Sequence, residues 1–146
     1  MATRSFISKL NIDGSICGIY CHWDGYPENN GKILQEHYQS LDKVEDLLSL
    51  GSLSMLGPEI GEKHDFDSGN ETFCKAYHRD RGEDFEENTV YSSVAEMLKN
   101  VNHDMGAEFA YVFTSGDWKT YKIWMLYIAA LLTFFLIVDD LILLKK

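Results

Sequence analysis

From Ile123 to Val138 the chain reads IWMLYIAALLTFFLIV, sixteen residues without a charge. A helix made of this run has no polar face, so something apolar must cover it on all sides. At about 1.5 Å of rise per residue the run covers about 24 Å. The hydrocarbon core of a bilayer is about 30 Å thick. Counting from Tyr121 to Leu144 supplies the missing length but takes in Asp139 and Asp140, which would then have to sit at headgroup level. At the other end, Trp118, Tyr121 and Trp124 are spaced as an interfacial aromatic belt. A body the size of residues 1–122 seldom wraps a helix completely, which favours a membrane over the fold's own core as the cover. The sequence therefore predicts an acidic globular domain over residues 1–122 and a hydrophobic C-terminal helix over 123–146. That helix is expected to act as a membrane anchor through Trp124, Leu131, Leu132, Phe134 and Phe135.

Charge separates these two parts. The two aspartates and two lysines of residues 123–146 cancel, so the whole net charge of −10 belongs to the body. A nucleic-acid binder needs a basic footprint, and none is present, so direct nucleic-acid binding is not expected. An acidic body favours solubility and attraction to basic partners. Cys17, Cys21 and Cys74 are odd in number and irregular in spacing, which suits reduced, buried thiols better than a disulfide framework. The first fifteen residues, MATRSFISKLNIDGS, hold no apolar run of signal-peptide length. The globular domain is accordingly expected in the cytoplasm beneath a membrane. The alternative is a soluble cytoplasmic chain with the helix packed on the body.

Within the body, Ser5–Leu10 and Ser15–His22 flank Asn11-Ile12-Asp13-Gly14, a hairpin signal. A helix is predicted over about Gly31–Gln39, where Ile33, Leu34, His37 and Tyr38 recur at helical spacing. A second is predicted over Asp42–Leu50, with Asp42 as N-cap, Glu45 three residues on and Gly51 at the C-terminal cap. Thr72–His78 reads as a strand and Arg79–Asn88 as a charged loop. Ser92–Val101 reads as a helix, and Ala107–Phe113 and Trp118–Trp124 as strands. The predicted fold class is α+β: a small antiparallel sheet with two or three helices on one face, plus the C-terminal hydrophobic helix.

Three patches resemble a group of small proteins of bacteriophages, prophages and conjugative elements. They are IYCHWDGYPENNGKILQEHY, KVEDLLSLGSLSMLG, and AYHRDRGE followed by EFAYVFTSGDW. The shared pattern is Y-x-H-W-D-G-Y-P, then G-x-x-L and a later Tyr, then K-V with L-x-x-L-G, then a late aromatic strand ending in Trp. It spans about residues 18–118. The resemblance implies a mobile-element origin and no particular reaction. The apolar tail departs from it.

The Y-x-H-W-D-G-Y-P stretch sets Cys21, His22 and Asp24 side by side, all potential metal ligands. A closed zinc site needs about four ligands, and the rest would have to come from His64, Asp65, Asp67, His78 or Asp80. Neighbouring strand residues point to opposite faces, so Cys21 and His22 do not readily share one ion. A structural corner accounts for each residue more simply: Trp23 and Tyr26 bring aromatic area, Asp24-Gly25 a turn, and Pro27 a stiff exit. His22, Trp23, Asp24 and Tyr26 are also a candidate partner-binding cluster. His78-Arg79-Asp80 shares three letters with kinase catalytic loops and none of their context. Asp80, Glu83, Asp84, Glu86 and Glu87 form an acidic stretch suited to steering a basic partner. There is no G-x-S-x-G elbow, no phosphate loop and no H-E-x-x-H, and no cofactor or metal is called for.

The first expectation for function is a non-enzymatic accessory protein of a mobile element that binds a host or defence protein with a basic surface while tethered to a membrane. One alternative is a small metal-dependent hydrolase or nuclease-like enzyme built on His22 and Asp24. Another is a structural component of a virion or membrane.

Overall fold

The structure is a computed structural model. It describes the backbone of residues 1–143 and the side chains of residues 1–134, 136 and 137. The described residues form an α+β fold around one mixed seven-stranded sheet. The strands are β1 (Ser5–Leu10), β2 (Ile16–Cys21), β3 (Leu53–Met55), β4 (Lys75–Ala76), β5 (Thr89–Tyr91), β6 (Phe109–Thr114) and β7 (Asp117–Lys122). The helices are α1 (Lys32–His37), entered through a π-helical turn at Pro27–Gly31, α2 (Leu41–Leu48), α3 (Tyr77–Arg81), α4 (Val94–Met105) and α5 (Ile123–Leu143).

The β1–β2 hairpin forms because both strands are β-rich runs that bury on both faces and the turn between them is locally fixed. Gly14 takes φ +87°, and the Asp13 carboxylate accepts the Ser15 backbone N–H at 3.0 Å. The pair runs antiparallel from Ser5 opposite Cys21 to Leu10 opposite Ile16. On its other side β1 runs parallel to β6, Ser5 against Phe109 and Lys9 against Phe113. β6 and β7 close a second antiparallel hairpin. The outer edge of β2 is shared. At one end Cys21 pairs in parallel with Leu53 of β3, and at the other Ile16–Gly18 pair antiparallel with β5. The sheet is thus mixed rather than antiparallel, which corrects the expectation. Side-chain alternation shows which faces are buried but not the direction of the neighbouring strand.

The helices also lie on both faces, not one. Ile7, Ile19, Tyr111 and Phe113 point to a core closed by Leu34 and Tyr38 of the α1 region and by Val44, Leu47 and Leu48 of α2. Their strand neighbours Phe6, Ala110 and Val112 point the other way, to a core closed by Met97 and Val101 of α4, with Ile16, Tyr91 and Ile123. Successive strand residues face opposite ways, and both sets here are apolar, so each face needs its own helix.

Other boundaries shift for local reasons. Ser40, not Asp42, caps α2: its Oγ accepts the Lys43 N–H at 3.3 Å, and Asp42 falls in the first turn, where a carboxylate suits the helix dipole. Ser93 caps α4 in the same way, taking the Glu96 N–H at 3.1 Å. Only Lys75–Ala76 of the expected Thr72–His78 strand is extended in the ladder, and Tyr77–Arg81 turns helical. The Asp80 carboxylate drives that turn by accepting the Ala76 N–H at 2.8 Å. The last expected strand ends at Lys122, and α5 begins at the next residue.

Candidate functional site

At the corner between β2 and α1 the polar groups bond to other backbone and side-chain groups of the protein. Asn30 is fully buried, and its side-chain N–H group reaches Ser5 Oγ at 3.1 Å, with Cys21 Sγ and the Trp23 carbonyl at 3.5 Å. Gly25 donates to the Thr3 carbonyl at 2.8 Å and its own carbonyl accepts the Tyr111 hydroxyl at 2.7 Å. A Cβ at Gly25 would sit 2.8 Å from both Ser5 Cβ and the Thr3 oxygen, so the chain must carry glycine where it passes β1. Asp24 contributes chiefly backbone: it takes φ +54°, and its carbonyl accepts from the Asn30 N–H and the Asn29 side chain, both at 3.3 Å. Burial pushes the Cys21 thiol up to about 12, despite the opposing hydrogen bond from Asn30, so it stays protonated.

The aromatic members do come together. His22 Nδ1 is hydrogen bonded to Tyr20 Oη at 2.6 Å, and its ring meets Trp23 edge-on at 4.7 Å. Burial, with a smaller effect from the Arg4 charge, holds His22 below the ordinary histidine range. Trp23 and Tyr26 remain exposed at the surface. Among the described residues no group of three or more His, Cys, Asp and Glu side chains lies close enough to hold a metal ion.

The acidic stretch divides into two environments. The Asp80 side chain is enclosed. Its oxygens take Arg79 Nε at 2.8 Å and a second guanidinium nitrogen at 3.0 Å, as well as the Ala76 and His64 backbone N–H groups. Burial works to raise its pKa, but these hydrogen bonds outweigh it and hold the carboxyl below the ordinary range. Arg79 also donates to the carbonyls of Ile60, Gly61 and Cys74, which pins the long 57–74 connection to α3. Asp80 is therefore part of the internal framework and stands apart from the acids that follow it. Glu83, Asp84, Glu86 and Glu87 are exposed, and among them Phe85 is 49 % exposed.

These exposed acids border a cleft that sequence reasoning missed. β3 and β5 leave Ile19 and Tyr20 of β2 unpaired on that edge, and the Gly82–Asn88 segment crosses beside this opening. The resulting cleft of about 300 Å³ is walled by Tyr20, Tyr77, His78, Arg81, Asp84 and Glu86. Arg81 lies over the rings of Phe66 and Tyr77, 5.0 and 4.9 Å from their centroids, and pairs with Glu83. His78 Nδ1 is held at 2.7 Å from the Glu83 carbonyl, and its ring meets Phe85 at 5.4 Å. The only warning in the sequence was the count of acids. The opening itself arises from two short strands sharing one edge.

α5 is a second surface. It continues from β7 without a linker. Ile123 is buried and donates its N–H to the Glu108 carbonyl at 3.0 Å, and the Tyr127 hydroxyl donates to the Lys99 carbonyl at 3.1 Å. From Trp124, 50 % exposed, through Leu131, Leu132 (59 %) and Phe134, the described side chains stand outside the body on every side of the helix. Trp118 does not join Trp124 in an aromatic belt. It is 6 % exposed, meets the Phe113 ring at 5.3 Å and a tilt of 60°, and donates its ring N–H to the Tyr38 carbonyl at 2.8 Å. Among the described residues no helix is long and apolar enough to cross a membrane, so the expectation of a transmembrane helix is not met there. The side chains of Phe135 and of residues 138–146, on which part of that expectation rests, lie outside the described residues.

No family model matches the chain, and no curated protein or solved structure is significantly similar to it.

Proposed function

We propose that this chain is a binding protein whose acidic body engages a basic protein partner and whose apolar helix associates with a membrane. The observation that carries the reading is the exposed Gly82–Glu87 segment. It puts four carboxylates around a half-exposed phenylalanine, beside a cleft rather than on a flat face. Carboxylates at a rim raise association rates, and a central aromatic supplies the desolvated anchor that most tight interfaces need. The resemblance to proteins of phages and conjugative elements makes a host or defence protein the partner class. The exposed apolar surface of α5 supports the membrane half of the reading.

The test is capture of the tagged chain with its partners from the host, followed by association kinetics. Reversing Glu83, Asp84, Glu86 and Glu87 together is expected to slow association by about tenfold or more at low salt and to flatten its salt dependence. Unchanged on-rates would return the segment to ordinary solvated surface. For α5, Leu131→Lys with Leu132→Lys is expected to move the protein from the membrane fraction to the soluble one. A wild-type chain already soluble and monomeric without detergent would overturn that half.

A further inference from the structure

We infer that the membrane met by α5 is an anionic one, and that Lys99, Lys119 and Lys122 hold its headgroups against the base of the helix. The inference rests on the membrane half of the reading above and names the lipid class. Lys122 is the residue immediately before α5. Lys119 lies on β7 opposite Val112, whose side chain belongs to the core on the α4 side, so Lys119 stands on the face that carries α4 and Ile123. The Lys99 carbonyl accepts the Tyr127 hydroxyl at 3.1 Å, which sets that turn of α4 beside the second turn of α5. All three lysines are exposed, and among the described residues none of them is in an ion pair, whereas Lys9, Lys32, Arg79 and Arg81 each face a carboxylate. Trp124, in the first turn of the helix, is half-exposed, as an aromatic at a membrane interface is.

The acids near this base are engaged or set back. Glu108, whose carbonyl accepts the Ile123 N–H, is half-buried. Glu96 takes the Ser92 N–H and hydroxyl, Asp104 takes the Tyr91 hydroxyl at 2.8 Å, and Asp117 is at the other end of β7. The exposed acids of the Gly82–Glu87 segment lie beside the outer edge of β2, and β1 and β6 stand between β2 and β7. Three strand spacings are about 14 Å. Exposed charges are screened over about 8 Å at physiological salt. A bilayer at the base of α5 therefore meets the lysines first, and the net charge of −10 does not set the sign of the contact. A lysine stem follows apolar surface while its ammonium reaches lipid phosphates, so apolar helix and lysines act on one surface together. A second copy of α5 packed in parallel would instead bring two sets of lysines together, and like charges at that range repel.

The test is flotation of the full chain with phosphatidylcholine vesicles and, in parallel, with mixed phosphatidylcholine–phosphatidylserine vesicles at physiological salt. Binding to the mixed vesicles is expected to be about tenfold tighter or more. Lys99→Gln with Lys119→Gln and Lys122→Gln should lower it to the phosphatidylcholine level. Lys32→Gln with Lys43→Gln and Lys63→Gln changes the net charge equally, elsewhere on the body, and should leave it unchanged. Equal binding to the two kinds of vesicle, or equal loss from both triple variants, would overturn the lysine contact and leave membrane association standing. Binding to neither, with a discrete oligomer in sedimentation without detergent or with none, would overturn the membrane reading together with it.

Discussion

In the corner between β2 and α1, polar side chains and backbone face inward. The Asn30 amide bonds to Ser5, the Gly25 carbonyl accepts from Tyr111 and the Asp24 carbonyl accepts from Asn30, so each has a partner inside the body. In the segment between α3 and β5 they face outward, with the carboxylates of Asp84, Glu86 and Glu87 exposed around Phe85. The corner carries the more suggestive letters, Cys-His-Trp-Asp, and uses them to hold β1, β2 and α1 together. The segment carries plainer letters and leaves them available. Function is better sought where hydrogen-bonding capacity is left over than where reactive residue types are dense.

The sharpest way to break this comparison uses two aspartates four positions apart. Asp80→Asn removes the charge that Arg79 and two backbone N–H groups share. It is expected to cost about 3 kcal/mol or more in urea unfolding at neutral pH. Asp84→Asn on the exposed segment should stay within about 0.5 kcal/mol. The pH dependence has a definite sign. The folded-state pKa of Asp80 is depressed, so its contribution is complete above the ordinary value of 3.8 and is lost as pH falls through the folded value. The gap between wild type and Asp80→Asn should therefore close in acid, and a gap that persists there would deny the ion pair its role.

Next in size is the corner. Asn30→Ala leaves Ser5, Cys21 and the Trp23 carbonyl short of a donor and is expected to cost about 2 kcal/mol by thermal or chemical unfolding. A neutral result would mean that the corner is less tied down than its hydrogen bonds indicate. His22 offers a smaller effect. Its folded pKa lies below the ordinary 6.5, so protonation works against the fold: the contribution is present above 6.5 and is lost as pH falls. His22→Phe should flatten the stability profile in that window. Smallest of all is the effect on stability of reversing Glu83 and Glu87, expected within about 0.5 kcal/mol by the same unfolding assay. A larger loss would show the segment to be part of the framework.

What the sequence made legible follows the range of the forces involved. β1, β2 and β6 announce themselves as short β-rich runs bounded by turns, the Asn11–Gly14 turn through Asp-Gly chemistry, and α4 through the spacing of Met97 and Val101. β3 and β5, three residues each, are too short to show a period. The parallel pairing of β1 with β6 joins Ser5 to Phe109, and no local pattern encodes a partner that far away. The same holds for the sites. Asp80 and Asp84 are the same letter in the same charged run, and only the fold of the 57–74 connection separates them. Trp118 reads as a membrane-interface residue until the carbonyl of Tyr38 is placed opposite its ring nitrogen.

The parallel pairing of β1 and β6 also bears on the order in which the protein can be made. A chain leaving the ribosome offers residues 5–91 first, enough for β1 to zip onto β2 and for β3, β4 and β5 to join. One edge of β1 then stays open until residues 109–114 emerge, and closing it requires the long loop that slows folding. An open, flat edge in a half-made sheet is a template for pairing with other chains. Only after β6 docks can Trp118 reach Tyr38, and the apolar helix is synthesised immediately behind it. The step that closes the open edge of β1 is thus followed at once by the step that exposes the chain's most apolar surface.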